Sequence, residues 1–314
     1  MKIVFMGTPT FAVEILNSLA EAGHEIAAVV TQPDKPKGRG KKMEAPAVKV
    51  RAEELGLKVY QPLKVRDEDF IGLLREINPE VIIVAAYGKI LPREIIALPP
   101  LGCINVHGSL LPKYRGAAPI QRAIMNGEKI TGITIMLMDE GMDTGKMLTK
   151  AEVIIEQEDN SGRLFAKMAE AGAKLLCETL PLWQRGEIVP EEQNEAEATY
   201  APMLAKEEEL IDWQGDAEKI CCQLRGLAPA PCGYTYYRGE RLKIGDCSWI
   251  DEQKTSRAGE VVAVDKSGIT ISCAKGCLKV TKVQPAGKKM LSAWDFSNGS
   301  KITLGEILGE ENGK

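Results

Sequence analysis

The 314-residue sequence predicts an α/β chain: a doubly wound, mostly parallel sheet, followed by a small C-terminal β-barrel. Three observations carry this. Strand-like apolar runs alternate with helix-spaced stripes through the first half. Two of those runs, Val81–Ala86 and Ile133–Met138, are apolar on both faces, as strands covered by helices on both sides must be. After about Gly186 the pattern changes to one short helix and about five short strands punctuated by turns.

Taken in order, Lys2–Gly7 reads as a buried strand, with a turn at Thr8 and Pro9. Phe11, Ile15 and Leu19 then space as a helix stripe that Gly23 closes. Further strands are predicted at Glu25–Thr31, Lys58–Tyr60, Val81–Ala86, Cys103–His107 and Gly132–Met138. Helices fit between them at Pro46–Leu55 and Asp67–Ile77. Pro119 suits the first turn of a helix that Gly127 ends. Ser161 is expected to cap a longer helix carrying Leu164, Met168, Ala171, Leu175 and Leu182 on one stripe.

The segment from Pro190 to Glu197 is polar and acidic and reads as a linker. This sets the expected organisation: a first domain at 1–189, a linker at 190–206 and a second domain at 207–314. In the second, a helix is expected at Asp216–Leu227. Strands are expected at Gly233–Tyr237, Arg241–Ile250, Gly259–Val264, Ile269–Ser272 and Cys277–Gln284. Five short strands in about 100 residues suggest an OB-like barrel.

Composition narrows the function classes. Net charge is −4, which argues against a protein basic all over, such as a DNA coater. The longest apolar stretch is far short of a membrane span, and the opening apolar run ending at Gly7 is too short for a signal segment. A cytoplasmic protein is expected. Eight cysteines include no C-x-x-C spacing, and only His24 and His107 offer imidazole, so no metal centre is expected. The cysteines read as reduced structural thiols.

The first strand leads into Gly7-Thr8-Pro9-Thr10-Phe11-Ala12, which holds only the first glycine of a G-x-G-x-x-G fingerprint. The first domain is therefore Rossmann-like without the nucleotide motif. More informative is the strand end at Asn105 and His107. Side chains alternate along a strand, so both project from one face at the sheet's carboxyl edge. An amide and an imidazole N–H aimed at one point suit a developing oxyanion. The loop Gly108–Pro119 is dense in Gly and Pro, and its backbone suits a flat heterocycle. The turn Asp139–Gly145 offers two carboxylates, Asp139 and Asp143, either of which suits a partner for His107.

Two stretches are basic. Lys35, Lys37, Arg39, Lys41 and Lys42 share a Gly- and Pro-rich loop with one acid, Asp34. Six lysines and no acid lie between Asp265 and Asp295. Both suit phosphate contacts on a nucleic acid.

These blocks together resemble the methionyl-tRNA formyltransferase family from end to end. The carrying residues are Phe5 to Pro9, Thr31 to Asp34 with the loop to Lys42, Ala86 to Gly88, Asn105 to Pro112, Arg115 to Gln121, Met138 to Gly145, and Gln284 to Lys289. The resemblance implies a formyl donor, 10-formyltetrahydrofolate, and an acceptor, the methionyl initiator tRNA. It implies that Asn105, His107 and Asp143 are catalytic and that Ser109, Leu110, Leu111 and Pro112 lie against the tetrahydrofolate. It implies that Arg39, Lys41 and Lys42 reach the acceptor end of the tRNA. A monomer without DNA or membrane partners is expected. Two competing classes stand beside it: another folate-dependent formyl enzyme, and an RNA-binding protein on a retired scaffold.

Overall fold

The computed structural model describes residues 1–37, 42–252 and 256–309, with Lys37 and Lys42 described by backbone alone. The chain forms two compact units. One comprises Met1–Pro119, Ile130–Ile154 and Phe165–Pro202; the other Ile120–Lys129, Ile155–Leu164 and Met203–Lys314. Among the described residues, no helix is long and apolar enough to cross a membrane.

The first unit alternates as the sequence predicts: β1 (Lys2–Gly7), α1 (Thr10–Glu21), β2 (Glu25–Val30), then a hairpin of β3 (Lys35–Lys37) and β4 (Lys42–Glu44). There follow α2 (Ala47–Glu54), β5 (Val59–Tyr60), α3 (Glu68–Ile77), β6 (Val81–Ala85), α4 (Arg93–Ile96) and β7 (Cys103–His107). Next in the chain is α5 (Pro119–Met125), all but its first residue in the second unit, then β8 (Ile130–Leu137), β9 (Met147–Ile154) and α6 (Ser161–Gln184), whose first residues, to Leu164, also fall in the second unit. The seven-stranded sheet runs β5-β2-β1-β6-β7-β8-β9. It is parallel from β5 to β7 and antiparallel at β8 and β9.

Both faces of its central strands are buried, which explains their unbroken apolar runs. Val4, Met6, Val30, Ile82 and Val84 pack in one cluster with Phe70, Ile71 and Leu74 of α3. The alternate residues Ile3, Phe5 and Ile83 are equally buried, and α1 packs on β1, β2 and β6. Helix α1 ends as Gly23 takes φ +75°, and His24 follows in the turn to β2.

Among its described residues the second unit contains α7 (Ala217–Leu227), six strands and α8 (Ala293–Ser300). The strands are β10 (Tyr234–Tyr237), β11 (Glu240–Ile250), β12 (Val261–Asp265), β13 (Gly268–Ser272), β14 (Cys277–Pro285) and β15 (Leu291–Ser292). All pairings are antiparallel, in the order β10-β11-β14-β13-β12, with β15 on β14. Their inward residues, among them Leu242, Ile244, Ile271, Leu278 and Val280, surround one core with Trp213, Ile220 and Leu224.

One cap is corrected. Ser161 is the first residue of α6 rather than its cap, and its hydroxyl donates to the Ala228 carbonyl. Asn160 takes the capping role: its Oδ1 accepts the Arg163 N–H at 3.0 Å. Six of these elements had no expectation: β3, β4, α4, β9, β15 and α8.

Candidate active site

Strand β7 lies where the sheet changes from parallel to antiparallel. Its register is regular on both sides: Val84 pairs with Asn105, Asn105 with Met136 and His107 with Thr134. Without a bulge, alternation is preserved, so Asn105 and His107 emerge on one face near the carboxyl end. Asn105 is half-buried and His107 buried. At the other end of β7, burial pushes the Cys103 thiol up to about 12. That keeps it protonated and unreactive. All eight cysteines are free.

The ring of His107 is held through Nε2. Nε2 lies 3.1 Å from the Tyr114 carbonyl oxygen. A carbonyl only accepts, so Nε2 carries the hydrogen. Nδ1 faces Asp143 Oδ1 at 3.6 Å. The Nε2–H is therefore spent on the backbone. Only a proton on Nδ1 gives the donor that the sequence reading invokes, and that form is the cation.

The two acids of the Asp139–Gly145 turn separate cleanly. Asp139 Oδ1 accepts from the Gly141 N–H at 3.0 Å, and its carboxylate takes the Thr144 hydroxyl at 2.7 Å. It staples its own turn. Asp143 reaches His107, and its Oδ2 accepts the Gly116 N–H at 2.8 Å. Its backbone is left-handed, at φ +55°. Gly145 must be glycine, since a Cβ there would sit 1.9 Å from the Leu137 carbonyl. A Cβ on Gly116 would lie 2.8 Å from the Ala201 carbonyl, and its φ is +119°.

The acidic segment after Pro190 contributes directly. Glu191 exchanges both backbone hydrogen bonds with Met147, and Ala201 N–H donates to Arg115 O at 2.7 Å. Gln193 is buried, and its Nε2 donates to the carbonyls of Asp143 and Gly145 at 2.7 and 2.8 Å. Arg115 is fully buried; its Nε donates to Gln193 Oε1 at 3.0 Å and its terminal nitrogens to Glu195. Those hydrogen bonds hold the Glu195 carboxyl below its usual range and raise Arg115. No signal in the sequence marks this role for Gln193. It stands 50 residues from Asp143 in a stretch that reads as polar spacer.

The segment Ser109–Pro112 is tightly held. The Ser109 hydroxyl donates to the Lys113 carbonyl at 2.6 Å. Thr134 Oγ1 donates to Ser109 O and accepts from Leu111 N–H. Leu111 is packed with Met136 and Met147, whereas Leu110 is half-buried against Gly132. A cleft of about 340 Å³ opens beside Asp143. Its walls are Lys89–Leu91, Met136, Met138 and the turn from Asp139 to Asp143 rather than Ser109–Pro112. Of these walls the sequence marks the block from Met138 to Asp143, whereas Lys89–Leu91 and Met136 carry no signal there.

Arg39 and Lys41, and the side chain of Lys42, lie outside the described residues. In the second unit, Lys266, Lys275, Lys282, Lys288 and Lys289 are exposed and Lys279 is half-buried. Lys275 pairs with Asp216 at 2.9 Å. His24 has an ordinary structural environment: burial lowers its pKa, and its backbone N–H closes onto Leu19 O.

Residues 1–180 match the formyl transferase family and residues 203–301 match the formyl transferase C-terminal domain. With the Asn–His–Asp site at the sheet edge, they put the chain in the class of formyl transferases. It is 48% identical over 314 residues to methionyl-tRNA formyltransferase of Bacillus subtilis (strain 168), covering 100% of this chain and 99% of that one. It is 47% identical to methionyl-tRNA formyltransferase of Pelotomaculum thermopropionicum, over 99% of each chain. Among solved structures, HypX from Aquifex aeolicus in complex with tetrahydrofolic acid shares the fold. The TM-score is 0.68 at 17% identity, over 97% of this chain and 48% of that one. The chain belongs to the methionyl-tRNA formyltransferase family.

Proposed function

We propose that this protein transfers the formyl group of 10-formyltetrahydrofolate to the α-amino group of methionyl initiator tRNA. The product, N-formylmethionyl-tRNA, serves translation initiation in the cytoplasm. The observation that carries this reading is the His107–Asp143 pair at the sheet edge. It stands in a chain 48% identical, end to end, to a methionyl-tRNA formyltransferase.

The donor supplies a formyl carbon bound to N10. Asn105, His107 and Asp143 are assigned as catalytic. Attack by the neutral amine turns the formyl carbonyl into an oxyanion. Asn105 meets it with an amide N–H and protonated His107 with Nδ1–H. Asp143 stands beside Nδ1 and keeps the ring oriented. The amine loses a proton, and N10 gains one as its bond to the formyl carbon breaks. The apolar methionine walls of the cleft beside Asp143 suit a flat heterocycle, with Ser109, Leu110, Leu111 and Pro112 assigned to the tetrahydrofolate side.

Catalysis is assigned to residues 1–189 and tRNA binding to an OB-like domain at 207–314, joined through 190–206. Arg39, Lys41 and Lys42 are assigned to the acceptor end of the tRNA. The protein acts as a monomer, without DNA or membrane partners. Asn105→Ala and His107→Ala should each lower turnover by about 10²–10³-fold, the usual effect of losing one oxyanion donor. Circular dichroism should stay unchanged. Near-normal turnover in either variant overturns the assignment.

A further inference from the structure

We propose that Gln193 is a positioning residue that sets the Asp143 carboxylate against His107. This rests on the reading of Asn105, His107 and Asp143 as the transfer site. Asp143 holds a left-handed backbone, at φ +55°, a sparsely populated conformation whose placement depends on what anchors the turn. The Gln193 amide anchors it with one nitrogen. Its two hydrogens go to the carbonyls of Asp143 and Gly145 and so clamp the turn on either side of Thr144.

The other end of the same amide is tied to Arg115. Gln193 Oε1 accepts from Arg115 Nε at 3.0 Å, and Arg115 is held in turn by Glu195 at 2.7 Å. Arg115 directly precedes Gly116, whose N–H fixes Asp143 Oδ2. Backbone and carboxylate of Asp143 are thus anchored from one buried arginine, through Gln193 on one side and Gly116 on the other. Gln193 touches only the backbone of Asp143 and acts through it. Only glutamine matches this pattern at this length: glutamate keeps the acceptor and loses the donors, and methionine loses both. Backbone bonds from Glu191 and Ala201 hold the segment independently, so removing this side chain leaves it docked.

The test uses Gln193→Met and Gln193→Glu in the full chain. The kcat for formyl transfer should fall by roughly 10- to 100-fold, the scale of a misplacement of about 1 Å, with KM for the formyl donor unchanged. In an Asp143→Asn background the same substitutions should cost nothing further. An equal fractional loss in both backgrounds overturns the proposal, since a merely structural role would be additive. A readout free of activity is the imidazole ¹⁵N spectrum, which two histidines keep simple. Both variants should move the His107 Nδ1 signal and leave that of His24 in place; an unmoved His107 signal overturns the proposal. If the native protein fails to formylate methionyl-tRNA, the proposed function falls, and the spectra still decide the role of Gln193.

Discussion

Of the two imidazoles, that of His107 stands at the candidate site, and its surroundings decide what it can do. The Tyr114 carbonyl takes Nε2–H of His107, which leaves Nδ1 as the working nitrogen. The neighbouring Gly116 is as constrained as the histidine. Its φ of +119° is closed to other residues at a cost of about 1–3 kcal/mol, before counting the contact of a Cβ with Ala201 O. Gly116→Ala should therefore lower the denaturation midpoint and cut kcat together, because its N–H also fixes Asp143. Unchanged values of both would show that the loop accommodates a side chain freely. At this scale the sequence was partly legible. Asn105 and His107 stand out because strand alternation puts an amide and an imidazole at one edge. The choice of Asp143 over Asp139 rested on resemblance alone, since both sit in the same Gly-bounded turn. The hydrogen bonds of Asp139 within its own turn now supply the physical reason. Gln193 was illegible, because burial by a distant fold contact leaves no local mark.

Elements with strong periodicity read well, and those defined by tertiary contact did not. Strand β7 runs from Cys103 to His107 in expectation and structure alike. The buried run at Val81 gives a strand one residue shorter than expected. Strand β9 was missed: it lies at the sheet edge, where Lys150 and Glu152 face outward and break the apolar run. Helix α8 was missed although its start is marked. Ser292 accepts from the Asp295 N–H at 3.0 Å, a Ser-x-x-Asp capping pattern visible in sequence. The basic loop from Lys35 to Lys42 belongs to this scale too. Arg39→Ala should weaken use of the tRNA substrate, and the loss should shrink as salt rises, because a chain with one phosphate contact fewer has the shallower salt dependence. Formylation unchanged across salt in that variant would make the loop ordinary surface.

For the molecule as a whole, the net charge of −4 conceals an uneven distribution of charge. One unit holds the parallel sheet with the amide, imidazole and carboxylate at its edge. The other carries six lysines between 266 and 289, five of them exposed, on β14 and in the turns next to its strands. The expected boundary region at 190–206 also had a second nature. Its first part folds onto the site loops, with Gln193 and Ala201 buried. A polar acidic composition reads as spacer because sequence counts charges and not partners; the Glu195–Arg115 pair and the Gln193 clamp are partners. The most direct test of the central claim follows a labelled formyl group from 10-formyltetrahydrofolate into charged initiator tRNA. Uncharged tRNA and charged elongator methionine tRNA serve as controls. The account predicts label on the methionyl initiator tRNA, with far less on either control. Label released as free formate, or carried to a small nucleotide acceptor in preference to tRNA, would contradict it.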